Sequence, residues 1–221
     1  MTDRKVITPG EIIAEGENYL PGDGTERRGN AVVALRFGLV EEQNNLIKVI
    51  PLSGVYSPRR GNVIIGKVTN VTFNGWVIDI GCAENAFLPL MEVPRFVNKN
   101  ALEEVMDIND AVVIKIIGIN KRGIDVTIKA RGLGRIEGGM LLKINPHKVP
   151  RVIGKEGSMI SLIKEKTNTN ITVGQNGFVL VIGDTTEDEL KAKKAILFIT
   201  EKSYVEGLTE KVNEWFEENG K

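Results

Sequence analysis

Val152-Ile153-Gly154-Lys155-Glu156-Gly157-Ser158-Met159-Ile160 sets two glycines either side of a charged pair, between a short apolar segment and an apolar helix. Without a Cβ, a glycine lets its main chain come close to a ligand. The amides that open the next helix favour an anion in front of them, and Lys155 adds a mobile positive charge. The stretch therefore reads as a loop in which an anionic backbone can rest. The competing reading is an ordinary glycine-rich turn between two helices.

The flanks decide between these. Met140–Ile144 reads as a strand, and Asn145 and Pro146 open a short helix that runs to the loop. Residues 158–167 form a helix with Met159, Ile160 and Ile163 on one face. Ile171–Val173 and Phe178–Ile182 are strands joined by the turn Gly174-Gln175-Asn176-Gly177. Thr186 is expected to cap a long helix whose first turn, Glu187-Asp188-Glu189, puts acids at its positive end. The order strand, helix, helix, strand, strand, helix resembles the eukaryotic-type KH fold. In that family a Gly-x-x-Gly loop clamps the backbone of about four single-stranded nucleotides. The expected contacts are Gly154, Lys155, Glu156 and Gly157, with Arg151 and Lys148 beside them.

Total charge is zero, yet its distribution suits this reading. Six bases against two acids between residues 143 and 170 leave a local excess of four positive charges. Residues 184–221 carry six lysines and ten acids. A local basic patch is what phosphate contacts need, whatever the sum.

Residues 58–131 form a second unit. Val63–Val68, a second strand before Gly81, Val112–Gly118 and Ile124–Lys129 read as short strands. Lys121-Arg122-Gly123 turns the last pair, and a polar, partly helical connection follows Pro89. Five strands with one interposed helix fit a closed Greek-key barrel, the OB-fold. Such barrels stack bases on aromatic rings amid positive charge. Phe73, Trp76 and Phe87 are the stacking candidates, although a single aromatic is more often core than platform; Phe73 stands out because a turn tip exposes what it carries. Lys67, Arg95, Lys115, Lys121 and Arg122 are the candidate phosphate contacts. Phe73-Asn74-Gly75-Trp76-Val77 and Ala86-Phe87-Leu88-Pro89-Leu90 resemble the OB domain of the bacterial small-ribosomal-subunit protein one, with Pro89 at the place of a family histidine and Ala86 at that of a glycine.

Residues 1–57 differ in kind. Val6–Ile13 holds a strand and a Pro-Gly turn, Asn18–Asn30 reads as an exposed polar loop, and Ala31–Phe37 and Leu46–Leu52 read as strands. So small a β unit buries little core and is expected to lean on the barrel or on a partner. Residues 132–221 complete the chain as the KH unit and its C-terminal helices. There Val205, Leu208, Val212, Trp215 and Phe216 recur at helical spacing, either as a partner surface or as a face packed on its own domain.

With the Val-x-x-Pro-Gly opening, the OB barrel and a single KH unit in that order, the whole chain resembles the archaeal exosome RNA-binding cap subunits, the ribosomal-RNA-processing protein four family. The resemblance implies a multidomain, non-catalytic protein that gathers single-stranded RNA. It implies a trimeric cap, alone or mixed with another cap subunit, docked by residues 1–57 on a ring of RNase-PH-like chains. The cap would guide RNA 3′ ends into that phosphorolytic ring. The alternative is an OB/KH factor acting outside an exosome, such as a transcription elongation factor.

Composition narrows the classes further. A chain of 221 residues accommodates two or three small domains. It has no apolar run of membrane-spanning length and no signal-peptide pattern near Met1. One cysteine, Cys82, forbids an internal disulfide framework, and with the single His147 it cannot build a Cys/His metal cluster. Asp107 and Asp110 lack further ligands at metal-binding spacing. No catalytic residue, metal or cofactor is expected, and the setting is expected to be cytoplasmic, with no membrane partner.

Overall fold

The computed structural model describes residues 5–94, 102–203, 205 and 207–219. Two compact units divide between Gly54 and Val55.

The first unit is all β. Its strands are β1 (Val6–Ile7), β2 (Ile12–Glu15), β3 (Leu20–Pro21), β4 (Thr25–Arg28), β5 (Ala31–Ala34), β6 (Gly38–Gln43) and β7 (Leu46–Pro51). They form a four-stranded sheet in the order β1-β6-β7-β3 and a three-stranded sheet in the order β2-β5-β4. Asn44 and Asn45, both at positive φ, turn β6 into β7 as a two-residue hairpin loop requires. The core is small: Ile7, Ala34 and Val49, with Ile13 and Val40 packed against them.

The polar stretch 18–30, expected to be a loop, contains β3 and β4. Main-chain pairing explains it. β4 pairs with β5 at the sheet edge through residues Thr-Glu-Arg-Arg, so no apolar alternation marks it. Thr25 is the buried exception, its hydroxyl donating to the Ile47 carbonyl at 3.1 Å.

The second unit begins with a closed barrel. β8 (Val63–Thr72), β9 (Gly75–Asp79), β10 (Ala86–Pro89), β11 (Ala111–Asn120) and β12 (Gly123–Thr127) pair in the cycle β8-β9-β10-β12-β11-β8, and β13 (Gly134–Arg135) joins the outer edge of β11. This is the OB-fold. Its core holds Ile64, Val68, Ile78, Leu88, Val112, Ile114, Ile116, Ile124 and Val126. At the start of this unit the Tyr56 hydroxyl donates to Asn62 Oδ1 at 2.7 Å, and burial pushes its pKa up to about 12.

Trp76 belongs to that core. It is 0% exposed, and its indole Nε1 donates to the Met106 carbonyl at 2.8 Å. The stacking role suggested for it is therefore corrected. β9 alternates, and Trp76 falls on the inward side with Ile78.

The remainder is a three-stranded antiparallel sheet in the order β14-β16-β15, built from β14 (Met140–Lys143), β15 (Thr169–Val173) and β16 (Phe178–Gly183). A 3-10 turn at Pro146–Lys148 leads into α1 (Val149–Ile153), followed by α2 (Ser158–Thr167), α3 (Thr186–Glu201) and α4 (Leu208–Asn219). Element order and strand order are those of the eukaryotic-type KH fold. Thr185 rather than Thr186 caps α3, because Thr185 holds the extended conformation that lets its hydroxyl accept from the Asp188 amide at 3.2 Å. Leu208, Val212 and Phe216 of α4 are buried in the KH core, so the apolar stripe packs on its own domain.

Barrel and KH sheet share a second, smaller core of Ile65, Val113 and Leu180, with Val63, Leu133, Ile136 and Phe178 around it. The outward residues of β8 and β11 meet the KH sheet here.

Trp76→Phe keeps a ring in the barrel but strands the buried Met106 carbonyl. An unpaired buried acceptor costs about 1–3 kcal/mol. Urea denaturation should show a loss of that order.

Candidate nucleic-acid interface

The loop between α1 and α2 is shaped by its two glycines for different reasons. Gly154 has φ +76°, and a Cβ there would sit 2.6 Å from the Met159 amide nitrogen and 2.7 Å from Met159 Cβ. The first turn of α2 therefore leaves no room for a side chain. Gly157, at φ +82°, is open: the nearest atom to a built Cβ is Ile160 Cγ2 at 3.9 Å. It is a glycine for its backbone conformation and for the clear space in front of it. Between them Glu156 also takes positive φ, at +53°, which turns the chain sharply. Lys155, Glu156 and Arg151 are exposed. Lys155 and Arg151 thus bring two cations to the loop, and Glu156 sets one acid among them.

Lys148 is placed elsewhere. Its ammonium donates to the Thr200 carbonyl at 2.6 Å, in the last turn of α3, where a cation meets the negative end of the helix. Its sequence neighbourhood suggested a phosphate contact; the return of α3 alongside the loop region corrects that. Ile160, half-buried beside Gly157, is a neighbour that charge-based reasoning missed. Its apolar position on the α2 face was the signal.

The barrel candidates are dispersed. Phe73 sits on the β8–β9 turn, 82% exposed. Thr72 Oγ1 braces this turn, contacting Gly75 O at 2.8 Å and Asn74 Oδ1 at 3.0 Å. The Leu90 amide donates to the Asn74 carbonyl at 2.9 Å, locking the 3-10 turn Leu90–Glu92 against the tip. Met91, 75% exposed, lies on that turn and is a second apolar group that sequence reading passed over.

Register puts the basic hairpin at the other end. Pro89 pairs with Gly75 beside the Phe73 tip, while β12 runs parallel to β10 with Ile124 opposite Ala86. Lys121 and Arg122 precede β12 and so lie at the opposite end of the sheet, exposed, the Arg122 amide held by Asn120 Oδ1 at 2.8 Å. Between the ends Phe87 is half-buried, across from Val77 and Asp125, its ring over Gly75. The Asp125 carboxylate accepts from Asn120 Nδ2 at 2.8 Å, so this part of the face carries an acid.

Lys67 and Lys115 are exposed on the outer side of β8 and β11. Ile65 pairs with Val113, while Lys67 pairs with Ala111 and Lys115 with Val63. The two lysines therefore flank, on opposite sides, the patch that the KH sheet covers. Arg95 lies outside the described residues. Among the described residues no cluster of metal-ligating side chains occurs, and no helix is long and apolar enough to cross a membrane.

Comparison with known proteins agrees with this architecture. Residues 4–53 match the exosome RNA binding protein RRP4 N-terminal domain, residues 55–103 the RRP4 S1 domain, and residues 140–198 the KH domain. "Exosome complex component Rrp4" of Thermococcus kodakarensis is 41% identical over 96% of this chain and 84% of that protein. The protein of the same name from Nitrosopumilus maritimus is 37% identical over 98% of this chain and 97% of its own length. The chain belongs to the Rrp4 family. The Rrp4 of Methanothermobacter thermautotrophicus is 39% identical over 97% of this chain and 68% of its own. A crystal structure described as an exosome complex RNA-binding protein superposes with a TM-score of 0.68 at 32% identity, covering 75% of this chain and 97% of that one. The barrel is thus the S1 domain of an Rrp4 family member.

The two loop glycines should respond differently to alanine. Backbone at positive φ costs a non-glycine residue about 1–3 kcal/mol at either site. Gly154→Ala adds a collision with α2, and overpacking costs about 1–3 kcal/mol more. Thermal melting should rank Gly154→Ala clearly below Gly157→Ala.

Proposed function

We propose that this Rrp4 family member is a non-catalytic, RNA-gathering subunit of an exosome. In this reading residues 1–57 dock on a ring of RNase-PH-like chains. The barrel (58–131) and the KH unit (132–221) hold single-stranded RNA, and three copies form a cap, alone or mixed with another cap subunit. The cap guides RNA 3′ ends into the ring in the cytoplasm. The observation that carries it is likeness to Rrp4 proteins over nearly the full chain, with the N-terminal, S1 and KH matches in that order.

The chemistry supports binding without base selection. Open main chain at Gly157 beside Lys155 and Arg151 suits phosphates, and the exposed Phe73 ring suits any base. The contacts sort into phosphate attraction at the KH loop and stacking at the barrel tip. Neither reads base edges.

Three measurements test the RNA part. In fluorescence anisotropy Gly157→Asp, which sets an acid in the open space of the clamp, should weaken binding about tenfold, the scale of a lost charged hydrogen bond. Phe73→Ala should lose about 1–3 kcal/mol of stacking with no change in melting temperature. Four phosphate contacts would give a slope of about −3 for log affinity against log salt concentration. A flat titration sinks the phosphate contacts.

For the assembly, co-expression with RNase-PH-like chains should yield a complex whose mass corresponds to three copies on one ring and which survives nuclease treatment. A complex lost on RNA digestion would favour a factor acting outside the exosome.

A further inference from the structure

The 3-10 turn after β10 is fastened along its whole length. The Leu90 amide donates to the Asn74 carbonyl at 2.9 Å, the Val93 amide to the Leu90 carbonyl at 3.3 Å, and the Ile128 amide to the Glu92 carbonyl at 3.2 Å. Glu92 also pairs with Lys129 at 3.7 Å. Leu90 packs on the barrel core and Val93 is part of it. Met91 sits between them on the same fixed main chain, yet it is 75% exposed. Met106 and Met159 are buried and Met140 is half-buried. Core packing accounts for the neighbours of Met91 and leaves its own side chain in water.

Register sets Met91 beside Phe73. β9 and β10 pair Trp76 with Leu88 and Gly75 with Pro89. The bond from Leu90 to Asn74 carries that ladder one step further, and one more step brings Met91 level with Phe73. Thr72 pairs with Gly75, so Phe73 and Asn74 form the two-residue turn from which the ring projects. Behind them is Phe87, whose Cζ would lie 3.0 Å from a Cβ built on Gly75. Three apolar groups thus gather around Gly75. No charged residue occurs in 68–78 or in 85–91. This end of the barrel offers a surface to bases and nothing to phosphates.

We infer that Met91 is a base-contacting residue: its thioether extends the Phe73 ring into one stacking platform for single-stranded RNA. This rests on the RNA-gathering reading and on stacking at Phe73. An unbranched thioether adapts to the shape it meets, and sulfur interacts favourably with aromatic rings. Every base presents a π-face, so the platform tolerates any sequence. Two side chains that act on the same base are not independent, and their losses do not simply multiply.

The test uses the full chain and a fluorescein-labelled oligouridylate of about 10 nucleotides, within the footprint range of one OB fold. In fluorescence anisotropy Met91→Ala should weaken binding about three- to tenfold, the scale of a sulfur–aromatic contact. Met91→Leu, which keeps the apolar bulk, should stay close to wild type, and Met91→Gln, which keeps only the length, should fall with Met91→Ala. The double variant Phe73→Ala/Met91→Ala should lose clearly less than the product of the two single losses. The side chain is exposed, so melting temperatures should not move. With ¹³C-methyl-labelled methionine, the Met91 signal should shift when RNA is added while those of Met106 and Met159 stay in place. Unchanged affinity in Met91→Ala overturns the inference, as does a Met91 methyl that ignores RNA or a double loss equal to the product. If Phe73→Ala still weakens binding in those cases, stacking at the tip stands without Met91. If Phe73→Ala has no effect either, the stacking reading fails with it.

Discussion

Where β9 turns away from β8, the barrel is left with main-chain amides and carbonyls that water cannot reach, and these must find partners inside the protein. The Asn176 carboxamide supplies three of the hydrogen bonds, one to each of Ile65 N, Ile65 O and Ile80 O. Much follows from this arrangement. An edge that would otherwise be exposed is closed, the outer patch of β8 and β11 is dry, and the KH sheet has one seat on the barrel. A side chain at Gly174 would crowd the Ile65 amide nitrogen, so the turn chemistry and the barrel geometry depend on each other.

The same constraint sorts the charged surface. Lys67 and Lys115 point outward, but the face they share is occupied in its middle by the KH sheet, which leaves them as its two borders. The free part of the barrel wall, around Phe87 and Asp125, carries an acid as well as a ring. The exposed groups suited to an RNA strand therefore concentrate at the Phe73 tip, at the Lys121–Arg122 turn and at the KH loop. A strand touching several of them must run along the molecule. That geometry suits capture of a length of backbone better than recognition of a short sequence.

The KH loop shows how one motif combines two requirements. Gly154 exists because α2 begins directly against it, and Gly157 because the chain turns left-handed before open space. Only the second leaves clear space in front of the main chain. A change at Gly154 reports on the helix start first, so the two positions of a Gly-x-x-Gly loop are not interchangeable probes of its function.

Residue order alone determined a good deal: the KH loop, the strand–helix order around it, the five barrel strands and the exposed Phe73 follow from periodicity and turn chemistry, which are local. Alternation also showed that each strand has two faces. It could not say which face meets another element, because period two is the same whichever side is covered. Trp76 went to the core, and Lys67 and Lys115 to the rim of an interface, for that reason, while Lys148, on a 3-10 turn, met the end of α3, a helix far away in the chain. The strands hidden in residues 18–30 were invisible because edge pairing uses main-chain groups common to all residues. Asn176 read as an ordinary turn residue, and only the tertiary structure brings Ile65 and Ile80, far away in the chain, to its carboxamide.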